Sequence, residues 1–306
     1  MSTPRPIKRI LAGTGLTPES VGGVLLARWL AAKLGASLHV VHVIEMVAQE
    51  QEVAIPGLAA AHERHAREEL DLFARAHGLG NGDVTLEVVV GSTEAEILRA
   101  ARRVGADLVV LGRYGRGGPR RGTLGSVADR VVRKCPVSVL VADPVFRGEF
   151  KRIGVATDFS AESEVAVRRA MELARLSGVQ EVMLLHAYEL PRGFHTIMSY
   201  EEAQSRMEAV AAERAAAWRA SLAGEGVDLI LRTTHSSAGR GVPELAELER
   251  LDLVVVHTHG RSRPAMFMME RKTEKILGGC TCSVWAEKSP EMYQGMVEAL
   301  GELLGV

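Results

Sequence analysis

Apolar residues in this chain fall into short unbroken runs, separated by longer stretches with helical spacing. Leu108–Leu111 and Leu253–Val256 are continuously apolar, the pattern of parallel strands covered on both faces. Further strand-like runs cover Leu38–Val43, Val137–Ala142, Val182–His186 and Cys282–Ala286. The stretches between them hold ten or more residues with helical periodicity, enough for right-handed crossovers. Thr17-Pro18 and Ser160 are N-cap signals for the helix that follows the first strand of each half.

The pattern occurs twice. Arg9-Ile-Leu-Ala-Gly-Thr-Gly-Leu-Thr17 and Arg152-Ile-Gly-Val-Ala-Thr-Asp-Phe-Ser160 each read as a strand, a turn and the start of a helix. Ala106–Gly112 and Leu251–His257 align at a constant offset that persists to the last strands. The prediction is an α/β chain of two tandem doubly wound domains, each a five-stranded parallel sheet flanked by helices. The domains are placed at 1–143 and 151–288, with a linker at 144–150. A C-terminal helix is placed at 289–306, opened by Ser289-Pro290 with apolar positions at Met292, Met296, Leu300, Leu303 and Leu304. That helix would cap a sheet edge or pack on a partner.

One loop carries a chemical signal. After Leu111 the chain reads Gly112-Arg-Tyr-Gly115, then nine residues to Gly125-Ser126-Val127. Ligands of open parallel sheets sit beyond the carboxyl ends of the strands, and this loop leaves such an end. Glycines let backbone amides approach an anion. Gly125-Ser126 opens a helix whose amides favour phosphate, and Arg113, Arg116, Arg120 and Arg121 add positive charge.

This Gly-x2-Gly-x9-Gly-Ser spacing, with the run Ser126-Val-Ala-Asp-Arg-Val-Val-Arg-Lys-Cys-Pro-Val137, resembles the ATP-binding branch of the universal stress protein family. The likeness covers about residues 7–143 and 151–287. It implies an adenine-nucleotide α-hydrolase-like, Rossmann-like fold. It also implies a regulatory protein, commonly dimeric, in which tandem halves form an internal pseudo-dimer and a homodimer can form again. It places the nucleoside of ATP (or ADP or AMP, with Mg accompanying the triphosphate) near Gly13, Thr14, Gly15 and Val43. The phosphates fall to Gly112, Arg113, Gly115, Arg116, Gly125, Ser126 and Val127. The family's usual Asp after the first strand is present in the second half as Asp158 but is Gly15 in the first.

The second half departs from the pattern at the loop. His257 stands for Gly112, and Glu270-Arg271 stands for Gly125-Ser126. A carboxylate at a phosphate position is repulsive, so this half is expected not to bind ATP in the family manner and to serve as scaffold or partner surface. Asp158, His186, His235, His257 and His259 fall near strand ends on one cleft, residue types that suit zinc. A metal or small-ligand sensor is therefore one alternative. A slow ATP hydrolase is another, although no general base adjoins the loop and Asp129 lies one turn beyond Ser126.

Composition narrows the partners. The net charge is −1 over 306 residues and aromatics are 4%, which argues against nucleic acid. No apolar run reaches the roughly 20 residues of a membrane span. The short polar start does not read as a signal peptide. Cys135, Cys280 and Cys282 are too few for a disulfide scaffold, and a cytoplasmic protein is expected.

Overall fold

In the computed structural model the described residues are 3–79, 84–115, 124–258 and 271–288. The chain divides into two compact units that change over between Gly148 and Glu149, with Arg5 grouped with the second.

The first unit runs β1 (Arg9–Thr14), α1 (Pro18–Leu34), β2 (Ser37–Ile44), α2 (Gln49–Ala54), α3 (Leu58–Ala76), β3 (Val84–Val90), α4 (Thr93–Arg103), β4 (Leu108–Gly112), α5 (Ser126–Lys134) and β5 (Ser138–Ala142). Its strands are parallel in the order β3-β2-β1-β4-β5. The order reverses between β1 and β4, which opens the crevice where such sheets take ligands. Leu108–Leu111 is wholly buried, as its unbroken apolar run requires. Thr17 is the N-cap of α1, with Pro18 in the first turn. Gly35 ends that helix at φ 63°, a left-handed conformation that costs glycine nothing.

The second unit repeats the plan: β6 (Ile153–Ala156), α6 (Ala161–Ser177), β7 (Glu181–Tyr188), α7 (Tyr200–Ser221), β8 (Asp228–His235), α8 (Ala238–Leu248), β9 (Leu253–Thr258), α9 (Arg271–Gly279) and β10 (Ser283–Lys288). Its parallel order is β8-β7-β6-β9-β10. Ser160 caps α6 by accepting from the Ser163 amide at 3.2 Å.

Each unit carries its own copy of one lock at the amino ends of its strands. Asp107 accepts from the amides of Lys8 (2.9 Å) and Arg9 (3.0 Å). Asp252 does the same for Lys151 (2.7 Å) and Arg152 (2.9 Å).

Two features differ from the sequence expectation. The crossover from β2 to β3 holds two helices rather than one, because α2 buries none of its residues and so breaks the amphipathic run. Cys282 precedes β10 and is half-buried, while Cys135 and Cys280 are buried. The C-terminal helix expected over 289–306 lies outside the described residues.

Helix α1 packs unusually close. A Cβ on Gly23 would stand 3.2 Å from the Gly112 amide nitrogen. A Cβ on Gly22 would stand 2.3 Å from the Pro144 carbonyl oxygen and 2.5 Å from that of Asp143. Glycine is required at Gly22 because backbone occupies the space of a side chain.

Candidate functional site

The site begins with a hydroxyl frame at the end of β1. The chain turns at Leu16, held at φ 55°, an uncommon conformation for a branched side chain. Thr14 Oγ1 steadies that turn by accepting from the Leu16 amide at 3.1 Å. Ser20 Oγ donates to the Thr17 carbonyl at 2.8 Å, so in the 3.0 Å contact between the two hydroxyls Thr14 is the donor. From β2, His42 Nδ1 donates to the Thr14 carbonyl at 2.8 Å.

Glycines shape the neighbouring strand end. A Cβ on Gly13 would meet Leu111 Cδ2 at 2.6 Å, and one on Gly112 would meet the Glu19 carbonyl oxygen at 3.2 Å. The Gly125 amide donates to the Arg113 carbonyl at 2.9 Å, and a Cβ there would stand 3.0 Å from the same oxygen. Gly125 is thus clamped against the strand end and starts α5 with no side-chain cap. Among the described residues no side chain caps the first amides of α5, and Ser126, Val127 and Ala128 line the cleft at the positive end of the helix dipole. At its other end α5 is anchored to α4, where Lys134 Nζ donates to Glu94 at 2.5 Å and Arg130 lies 3.5 Å away. The Lys134 hydrogen bond holds the Glu94 carboxyl below the usual range.

These elements enclose a cleft of about 390 Å³, within the roughly 300–1,000 Å³ of small-ligand sites. Gly13, Thr14 and Gly15 line it from β1, and Val43 lines it from β2. Gly112, Arg113 and Gly115 line it after β4, and Gly125, Ser126 and Val127 line it at α5. Arg116, Arg120 and Arg121 lie outside the described residues. Arg113 is wholly buried, and its amide donates to Ala142 O at 3.0 Å, which ties its backbone to the sheet end. The lining also includes Ser20, His42, Glu45, His62, Thr93 and Tyr114, which the sequence reading did not single out. His42 had a signal, a polar residue inside the apolar run of β2 that falls opposite Thr14 in register.

The model of the universal stress protein family matches this chain twice, over residues 6–143 and 149–287. The chain belongs to the universal stress protein family. A universal stress protein of Mycobacterium tuberculosis is 33% identical over 166 residues, 51% of this chain and 53% of that one. The chain thus spans about half the length of such curated relatives. A universal stress protein of Mycolicibacterium smegmatis is 29% identical over 301 residues, 90% of this chain and 95% of that one. Among solved structures, a universal stress protein from Archaeoglobus fulgidus DSM 4304 shares the fold. Its TM-score is 0.62 at 18% identity, covering 92% of this chain and 98% of that one. A functionally unknown protein from Pseudomonas aeruginosa PAO1 does so with a TM-score of 0.66 at 16% identity, covering 97% and 98%.

The second universal stress protein domain keeps the frame and changes what fills it. Thr157 Oγ1 accepts from the Phe159 amide at 2.9 Å and meets Ser163 Oγ at 3.1 Å. His186 Nδ1 donates to the Thr157 carbonyl at 2.9 Å. Phe159 takes the place of Leu16, with φ 62°, and packs on His186 (4.9 Å between centroids) and Trp218 (5.2 Å). Tyr188 stacks on His235 at 5.7 Å. Burial, then the hydrogen bond its hydroxyl donates to Glu208 (3.0 Å), pushes the Tyr188 phenol up to about 12.

The zinc candidates that the structure describes are engaged in local bonds. Among the described residues no three His, Cys, Asp or Glu gather to hold a metal ion. His186 is committed to Thr157 O, and His235 Nδ1 is paired with the Tyr200 hydroxyl at 2.6 Å. Asp158 accepts from the Ser160 amide at 2.9 Å, closing a local turn. His257 is half-buried in β9, and His259 lies outside the described residues.

Among the described residues no helix is long and apolar enough to cross a membrane.

Proposed function

We propose that the first domain binds ATP, or its diphosphate or monophosphate, and that the protein acts as a nucleotide-responsive regulator rather than an efficient enzyme. The observation that carries this reading is the convergence on one cleft of the β1 turn, Val43, the Gly112–Gly115 segment and the uncapped start of α5. The α5 amides and the Ser126 hydroxyl supply donors for phosphate. Val41, Ile44 and Ile97 supply an apolar wall for a base.

Mg²⁺ comes with the triphosphate, which supplies its ligands. The acids near α5 support the reading of a regulator over that of an efficient enzyme. Asp129 is paired with Arg133 at 3.2 Å, and Glu94 with Lys134, so neither is placed as a free base. The second domain serves as scaffold or partner surface, because aromatic side chains pack where the first domain opens its cleft. Self-association and a cytoplasmic setting accompany this reading, the latter in keeping with the three free cysteines.

Calorimetric titration of the nucleotide-stripped chain with Mg-ATP tests it. One site per chain is expected, lost in Gly125→Val, whose side chain would collide with the Arg113 carbonyl. No binding by calorimetry or by displacement refutes the reading. Two sites per chain refute the division between the domains.

A further inference from the structure

His42 is an imidazole in an otherwise apolar stretch of β2, only 6% exposed, and it lines the cleft. The Thr14 carbonyl can only accept, so Nδ1 carries the ring hydrogen and the neutral ring has a lone pair on Nε2. Nε2 has no hydrogen-bond partner among the described residues. Nε2 is not shut off from solvent, so it stays open to a donor in the cleft that His42 lines.

The layout of the cleft says which ligand group arrives there. Its phosphate-favouring end lies at β4 and α5, and its apolar end at β2 with Val41, Ile44 and Ile97. Strand β1 lies between β4 and β2 in the sheet, and the His42 ring reaches from β2 to the last carbonyl of β1. In a nucleotide the group between phosphate and base is the sugar, whose hydroxyls are donors. Gly15, in the place of Asp158, brings no carboxylate to compete for them.

We propose that His42 selects ribose in this cleft, its Nε2 accepting a hydrogen bond from a sugar hydroxyl of the bound nucleotide. The inference rests on the nucleotide reading above. It makes His42 a specificity residue, with Thr14 O fixing its tautomer.

The test is a displacement titration of the stripped full chain with ATP, 2′-deoxy-ATP and 3′-deoxy-ATP. ATP is expected to bind about tenfold more tightly than at least one deoxy form, the effect of one lost hydrogen bond. His42→Phe should lower ATP affinity to the deoxy level and bring the preference to within about twofold. His42→Asn, whose shorter amide can keep a donor at the Nδ1 position for Thr14 O but carries no acceptor out to the Nε2 position, gives the same reading if the phenylalanine variant does not fold. Equal binding of all three nucleotides by the unaltered chain overturns the inference and leaves the nucleotide reading standing. A ribose preference that survives both substitutions overturns it as well. No binding of any of the three overturns both readings.

Discussion

The carboxyl ends of β1 and β6 are built on the same hydrogen bonds and lead to different surfaces. Thr14, Leu16, Ser20 and His42 correspond to Thr157, Phe159, Ser163 and His186, with both turn residues in the left-handed region. Around the first frame stand Gly13 and Gly112, and a cleft opens. Around the second stand Ala156 and His257, and Phe159, Trp218 and His186 pack together. The polar frame therefore belongs to the fold: it satisfies a strained turn whether or not a ligand site lies above it. The ligand site is a matter of which side chains are missing. Deeper down, α6 and β10 hold a buried ion pair, Arg169 with Glu287 at 3.1 Å. The aligned residues of α1 and β5 are Leu26 and Ala142, both fully buried.

That last contrast can be broken with the largest effect. Glu287 also accepts from Trp285 Nε1 at 2.5 Å, and Arg169 also pairs with Glu172, donates to the Arg5 carbonyl and lies 5.2 Å from the Trp285 ring centre. Glu287→Ala should cost about 3–5 kcal/mol in denaturant unfolding, the penalty for stranding a buried charge. Arg169→Leu with Glu287→Ala, which copies the first domain, should recover most of that loss. A double variant no more stable than the single one would show that the two cores are not interchangeable.

Next comes close packing. Gly22→Ala should cost about 1–3 kcal/mol, as overpacking against backbone does. The second domain has Val165 at the aligned position, buried without conflict. An unchanged thermal midpoint would refute the contact. Gly15→Asp probes the cleft itself. A Cβ there meets only Thr17, at 3.7 Å or more, so the carboxylate that the second domain carries should fit. Nucleotide affinity is expected to rise about two- to tenfold, the worth of one added hydrogen bond, as read by titration. A fall would mean that the acid repels phosphate.

The smallest effect is alkaline. Tyr188 has its folded value, about 12, above the ordinary value of 10. Its contribution to stability is therefore complete below pH 10 and is lost as pH rises through about 12. Absorbance titration should show one late phenol that Tyr188→Phe removes. The first domain has Ile44 at the aligned position and no such group.

The strands, their parallel sense and the duplication were readable in the chain, because apolar runs and crossover lengths report them directly. The glycines of the cleft were readable from their spacing. The burial of Arg113 was not, since a charged residue in a glycine-rich loop reads as solvated. Of the histidines at the strand ends, His186 and His235 are held by local hydrogen bonds to Thr157 and Tyr200, which a sequence pattern does not reveal. Arg169 and Glu287 are 118 residues apart, and no local pattern couples them.

The glycine face of α1 has a mechanical consequence. Backbone approaches backbone at one turn of this helix, Gly23 against Gly112 beside the cleft and Gly22 against Asp143–Pro144 on the way out of the unit. Such a contact has no side chain to deform and so no backlash. The two contacts fall on consecutive residues, Gly22 and Gly23, so a single turn of α1 fixes the spacing between the edge of the cleft and residues 143–144. That turn is a rigid spacer, and a side chain on either glycine would widen it.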